Sequence, residues 1–270
     1  MRFSHRAASA AALVLYASAA NAQQASQPPT QFVVLDYMKV APGKAADYVR
    51  LEQEVFKPLH QQRVKNKEMV AWALYQVPFT ADKHREYDYV TANVYDNIAA
   101  TEATGMMAAF QRLHPGKAGT SLIAQTGAAR TTVRSEIWQL LDQTTPPGAA
   151  ANPPPPAKYL IVNFMLSKAN GNYESVEKDL WKPIHQDLVK SGGMLGWSFY
   201  GLVLPGGTSY GYDYATVNGL SNLTAFTNMY SDELFKRVLP NITVTDLGNR
   251  TAAGRDLVRQ ELWVLVDATR

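Results

Sequence analysis

The chain contains no cysteine, which excludes disulfides, thiolate metal sites, a cysteine nucleophile and lipid attachment through sulfur. It lacks a charge bias too: 26 lysines and arginines stand against 23 aspartates and glutamates, and no basic run forms a nucleic-acid footprint. No apolar stretch reaches the ~20 residues of a membrane span. One shorter stretch, Ala7 to Ala20, follows Arg2 and Arg6 and ends in Ala20-Asn21-Ala22, the pattern of a secretory signal peptide over residues 1–22. The expected mature chain is exported, periplasmic or secreted, and free of the membrane once cleaved. It begins with a polar leader, residues 23–30, expected to be disordered.

What the chain does have is a duplication. Glu52-x3-Phe56-Lys57-Pro58-x-His60-Gln61 returns 125 residues later as Glu177-x3-Trp181-Lys182-Pro183-x-His185-Gln186. Tyr87-Asp88-Tyr89-x-Thr91-x-Asn93 returns as Tyr212-Asp213-Tyr214-x-Thr216-x-Asn218, and Arg134-x-Glu136-x-Trp138 as Arg259-x-Glu261-x-Trp263. The period is too long for a solenoid and fits one domain built twice. The proline-rich segment 144–157 has nothing to bury and reads as a semi-rigid tether. It divides repeat 1 (residues 31–143) from repeat 2 (residues 158–270).

Periodicity in each repeat gives strand, helix, strand, strand, helix, strand, with an irregular Thr/Gly/Ala-rich stretch before the last strand. Pro58 and Pro183 lie within the first helix and predict a kink there. The order is that of a split βαβ, ferredoxin-like α+β unit: an antiparallel sheet with helices on one face. Alternation along the strands assigns Trp72, Val90, Ala92, Val94 and Ile137 to the helix side. It leaves Tyr75, Tyr87, Tyr89, Thr91, Asn93, Arg134, Glu136, Trp138 and Asp142 on the open face, matched in repeat 2 by Tyr200, Tyr212, Tyr214, Thr216, Asn218, Arg259, Glu261, Trp263 and Asp267. Two such polar-aromatic faces can close on each other.

These features resemble the dimeric α+β barrel superfamily in tandem-repeat form. The Phe-Lys-Pro-Leu-His and Trp-Lys-Pro-Ile-His segments are similar to the helix-borne histidine of its EthD-like and NIPSNAP-like groups. The resemblance implies two repeats packed sheet to sheet as an intramolecular barrel. It also implies a range of chemistries that includes cofactor-free monooxygenases and haem proteins.

His60 and His185 are the candidate acid–base groups, because imidazole titrates near neutral pH; the competing reading is a histidine that bonds a carbonyl freed at the proline. Glu52 and Glu177 lie two helical turns away, about 12 Å along the axis, too far for a direct hydrogen bond. Tyr75, Tyr87, Tyr89, Tyr200, Tyr212 and Tyr214, with Asn93 and Asn218, suit a flat aromatic or conjugated ligand in the lumen; the alternative is that they knit the sheets together. Arg134 and Arg259 either pair with the glutamate two residues on or bind an anionic ligand, and Trp138 and Trp263 pack or line the pocket. Asp36, replaced by Asn163 in repeat 2, is a general-base candidate if buried. The loop carrying Asp82, Lys83, His84 and Arg85 has no charged counterpart in repeat 2. Histidine spacing offers no protein-only metal site. No cofactor is expected, although one histidine could hold haem iron. The sequence thus points to an exported small-molecule-binding barrel, either a cofactor-independent monooxygenase or isomerase, or a non-catalytic or haem-binding protein. It leaves oligomeric state open.

Overall fold

The computed structural model describes residues 30–79, 86–102, 106–149, 155–227 and 229–270. The signal peptide, nearly all of the leader, residues 150–154 of the linker and the loop residues Asp82, Lys83, His84 and Arg85 lie outside the described residues.

Repeat 1 runs through strand β1 (Phe32–Val40), helix α1 (Ala45–Leu51), a π-helical turn (Glu52–Phe56) and helix α2 (Lys57–Lys65). Strands β2 (Ala71–Gln76) and β3 (Tyr89–Tyr95), helices α3 (Met106–Leu113) and α4 (Gly116–Ala129), and strand β4 (Arg130–Thr144) complete it. Repeat 2 follows the same path: β5 (Tyr159–Ser167), α5 (Tyr173–Ser175), a π-helical turn (Val176–Trp181), α6 (Lys182–Lys190) and β6 (Gly196–Leu204). It ends with β7 (Tyr214–Leu220), α7 (Thr224–Thr227), α8 (Asp232–Val238), α9 (Val244–Gly254) and β8 (Arg255–Thr269).

Two local expectations are corrected. The Thr/Gly/Ala-rich stretches are helices α4 and α9: the chain restarts a helix after the proline, with extended Pro115 capping α4 and the Thr243 hydroxyl accepting from Asp246 N–H at 3.0 Å. The kink at each helical proline is a π-helical turn, in which the N–H of Lys57 reaches back five residues to the Glu52 carbonyl and Lys182 does the same to Glu177. Proline has no N–H to keep the tighter ladder, and the wider turn accommodates that loss.

The eight strands form one closed antiparallel barrel in the order β1-β3-β2-β8-β5-β7-β6-β4. Each repeat contributes a four-stranded sheet, and the two sheets join edge to edge through β2·β8 and β4·β6. Strands β4 and β8 are long enough to pair first with their own repeat and then with the other. Register shifts at Leu140/Asp142 and Leu74/Tyr75 accompany the crossing. Asp142 and Asp267, expected on the inner face, are turned outward to bind Lys182 at 2.7 Å and Lys57 at 2.6 Å under the helix of the opposite repeat.

The main correction concerns β3 and β7. Val90, Ala92 and Val94 line the lumen, while Tyr89, Thr91, Asn93 and Tyr95 face the helices; likewise Ala215 and Val217 line the lumen, and Tyr214, Thr216 and Asn218 lie outside. The Asp88 N–H bonds the Met38 carbonyl although Tyr89 is the residue in register with Met38, so two successive residues oppose one. This bulge sends Tyr87 inward and Tyr89 outward. Asp213 and Tyr214 repeat it opposite Met165. Both faces of these strands are buried, so alternation alone cannot say which face is which.

Candidate functional site

The lumen is filled. Tyr75, Tyr200, Trp138, Trp263, Phe164 and small aliphatic side chains leave a cavity of about 50 Å³, room for a water or two and not for a ring. Tyr87 and Tyr212 close one end of the barrel by bonding across the repeats: Tyr87 donates to Glu261 at 2.6 Å and Tyr212 to Glu136. Glu136 is wholly buried and accepts also from Tyr37 at 2.6 Å, Tyr210 at 2.5 Å and the Trp138 indole at 2.9 Å. Trp263 donates to Glu261 at 2.8 Å. The Arg134–Glu136 and Arg259–Glu261 pairs form, at 3.1 and 2.9 Å. These bonds join the two repeats, while the buried hydroxyls of Tyr75 and Tyr200 and the Nη2 atoms of Arg134 and Arg259 have no hydrogen-bond partner among the described residues. Tyr37 and Tyr210 belong to the network and were not singled out in the sequence, since neither has an equivalent tyrosine in the other repeat.

A second space lies outside the barrel wall, between sheet and helix. In repeat 2 a cavity of about 130 Å³ is bounded on the helix side by Glu177, Trp181 and His185, on the sheet side by Asn163, Thr216, Asn218, Arg255, Leu257 and Gln260, and at its opening by Phe226, Met229 and Tyr230. The π-helical turn places Glu177 on this face. Burial pushes the Glu177 carboxyl up to about 7, with the Tyr173 hydroxyl, 2.6 Å away, and the Arg255 guanidinium holding it from rising further. Asn163 and Gln260 form a bonded wall, Gln260 Nε2 donating to Asn163 Oδ1 at 2.7 Å and Asn163 Nδ2 to Thr216 at 3.1 Å. Asn218 Oδ1 is buried and has no hydrogen-bond partner among the described residues, an acceptor that a ligand donor or a water would satisfy.

His185 lies between two indoles, stacked on Trp197 at 5.1 Å and Trp181 at 5.9 Å. Its Nε2 meets the Tyr230 hydroxyl at 2.9 Å rather than a freed backbone carbonyl. Burial pushes its pKa down to about 3, and that of His60, stacked on Trp72 at 5.1 Å, likewise to about 3 with Arg63 adding to the shift. Both imidazoles are therefore neutral at pH 7, and neither reaches the lumen. In repeat 1 the equivalent helix–sheet layer holds Glu52, pushed by burial to about 7, with Arg130 and Tyr48 pulling it down and Asp36 pushing it up. Asp36 is itself raised by burial and accepts from Ser135 at 2.5 Å and Asn93 at 3.3 Å.

The structure thus brings His185 and Asn218 to one pocket with Glu177, Tyr230 and Arg255, which the sequence did not assign to a site. A glutamate retained in both repeats beside the buried stripe Leu51-Val55 was the available signal: a carboxylate held on an apolar helix face has a shifted pKa. A broader depression of about 560 Å³ on repeat 1 lies between Lys39, Pro42, Gln76 and Arg130. Among the described residues no cluster of three or more His, Asp or Glu side chains could hold a metal ion, and no helix is long and apolar enough to cross a membrane.

Haem fits neither the lumen nor the repeat 2 pocket. Sites for larger ligands measure roughly 300–1,000 Å³, against about 130 Å³ here, and the Nε2 that would face iron is taken by Tyr230.

No family model and no curated protein matches the chain. Solved structures do. A proposed monooxygenase from Fusobacterium nucleatum superposes with a TM-score of 0.53 at 10% identity, covering 89% of this chain and 94% of its own. A mutant chlorite dismutase from Candidatus Nitrospira defluvii gives 0.49 at 12% identity over 88% and 91%, and a haem-binding protein from Thermus thermophilus 0.48 at 12% over 90% and 96%. At such identities the likeness is one of fold: the chain is an α+β barrel of the kind seen in the Fusobacterium protein, formed here by two ferredoxin-like repeats of a single polypeptide.

Proposed function

We propose that the chain is a small-molecule-binding barrel whose working pocket lies in repeat 2 outside the barrel wall, and that Glu177 transfers a proton there without a cofactor. The observation that carries this reading is a buried carboxyl with a pKa of about 7 on the wall of an accessible cavity, because acid–base catalysis is most effective when the group's pKa lies near the working pH. The cavity is close to the ~150 Å³ that accommodates a benzene ring. Trp181, Phe226 and Tyr230 offer it flat apolar contact, and Asn218, Thr216 and Gln260 offer hydrogen bonds to a carbonyl or hydroxyl. The chemistry this suits is removal of a proton beside a carbonyl in a single-ring or conjugated molecule, the first step of a cofactor-independent oxygenase reaction and, with return of the proton at a second position, the whole of an isomerase reaction. Glu177 takes the acid–base role that His60 and His185 are too strongly depressed to fill.

The test uses 2-cyclohexenone in heavy water, with proton NMR following exchange beside the carbonyl. The wild-type protein is expected to accelerate exchange above the buffer rate, Glu177→Gln to lose at least tenfold of that acceleration while still binding the probe, and Leu257→Trp on the sheet side of the pocket to lose binding. Wild-type exchange at the buffer rate, or equal acceleration by Glu177→Gln, overturns the proton-transfer reading.

A further inference from the structure

At the end of the barrel closed by the tyrosines, two guanidinium groups from equivalent positions converge. Arg134 lies over the rings of Tyr37 and Tyr87, at 4.0 and 4.8 Å from their centroids, and Arg259 lies over Phe164 at 4.8 Å. Each is held by the glutamate two residues along its own strand. They are close enough for the charge on Arg134 to oppose that on Arg259. Bringing like charges together is costly unless an anion sits between them.

That anion is Glu86, and it fills the position incompletely. One of its oxygens, Oε2, faces both arginines, lying 2.6 Å from Arg134 Nη1 but 3.9 Å from Arg259 Nη1. The second distance is too long for a hydrogen bond. Each arginine also keeps a buried Nη2 with no hydrogen-bond partner among the described residues. Glu86 is more than half exposed, whereas the arginines are mostly buried. Its equivalent in repeat 2 is Gly211, so one tethered carboxylate serves a position that has two-fold pseudo-symmetry. A free carboxylate is not tied to the backbone and could offer one oxygen to each guanidinium, the planar geometry the arginine fork favours.

We propose that the barrel end is a carboxylate-binding site formed by Arg134 and Arg259, and that Glu86 occupies it as a built-in competitor until a free carboxylate displaces it. The site is separate from the repeat 2 pocket and does not depend on proton transfer there. A tethered competitor weakens the apparent affinity of any free ligand, so removing it is the informative perturbation.

Benzoate is titrated into the purified protein by calorimetry, with inorganic phosphate as the comparison anion. Glu86→Gln is expected to bind benzoate at least fivefold more tightly than wild type, and more tightly than it binds phosphate. In the Glu86→Gln background, Arg259→Lys keeps the charge beside Glu261 and loses the fork; it is expected to return binding to wild-type strength or below, with urea unfolding confirming that it folds. Equal affinity of wild type and Glu86→Gln, or tight binding that survives Arg259→Lys, overturns the proposal. A preference for phosphate overturns the assignment to carboxylates.

Discussion

Replacing Glu177 by Gln gives a test whose size and sign follow from burial. The glutamate carboxyl moves from 4.5 in the unfolded chain to about 7 in the fold. Between those values the native protein binds a proton that the unfolded chain does not, so stability falls as pH rises, by about 1.4 kcal/mol per pH unit for this group. Glutamine is close in shape to the protonated acid and does not titrate. Relative to wild type, Glu177→Gln should therefore be about neutral near the bottom of the window and gain stability through it, reaching about 3 kcal/mol above pH 7. The assay is urea unfolding followed by tryptophan fluorescence at several pH values between 4.5 and 8. The difference between the two proteins, rather than either curve alone, isolates the one carboxyl. A difference that stays flat with pH would show that Glu177 is ionised normally, and would remove the basis for giving it the acid–base role.

Three further outcomes are expected. His185, depressed by burial to about 3, stays neutral while the unfolded imidazole gains a proton below 6.5, so stability is lost as pH falls; His185→Phe should gain about 2 kcal/mol over wild type on going from pH 7.5 to pH 5 in the same assay, and an unchanged difference refutes this. Glu136→Ala leaves three phenols, an indole and Arg134 without their shared acceptor and should cost roughly 3–5 kcal/mol, more than Glu261→Ala by about 2 kcal/mol because Glu136 binds two more phenols; equal losses in urea would deny the network that weight. Protein recovered from an exporting host should begin at Gln23 by N-terminal sequencing, and retention of Met1 would reject the signal peptide.

Much of the fold was legible because the chain states it twice. The 125-residue offset, the strand and helix order and the proline-rich tether together specify two ferredoxin-like units, and the Arg-x-Glu-x-Trp spacing placed those side chains on one face of β4 and β8. The face of β3 and β7 was not legible. Val90, Ala92 and Val94 look like the side that packs on helices, yet the narrow lumen needs small apolar groups, and the helix side takes Tyr89, Thr91 and Asn93 instead. The Asp88 bulge, which turns Tyr87 inward, leaves no mark in the alternation of the sequence. The proposed pocket was legible only in part, through His185 and Asn218, for a related reason. His60 and His185 attract notice because free imidazole titrates near neutrality, but the same burial that lowers them to about 3 raises Glu52 and Glu177 to about 7. Burial is a tertiary property, and it exchanged the titration ranges of the two residue types.

The edge-to-edge joins β2·β8 and β4·β6 have a consequence for how the two halves can change. Were each repeat a separate chain, the same barrel would be a symmetric homodimer, and every substitution would appear on both sides of its axis at once. Within one polypeptide the halves are free to drift. Glu86 aligned with Gly211, Asp36 with Asn163 and Arg85 with Tyr210 are sequence differences between the repeats that a symmetric pair could not hold. Fusion thus turns one repeated surface into two that selection can act on separately, while the single chain keeps them in fixed one-to-one proportion and the shared strand edges keep them in one barrel.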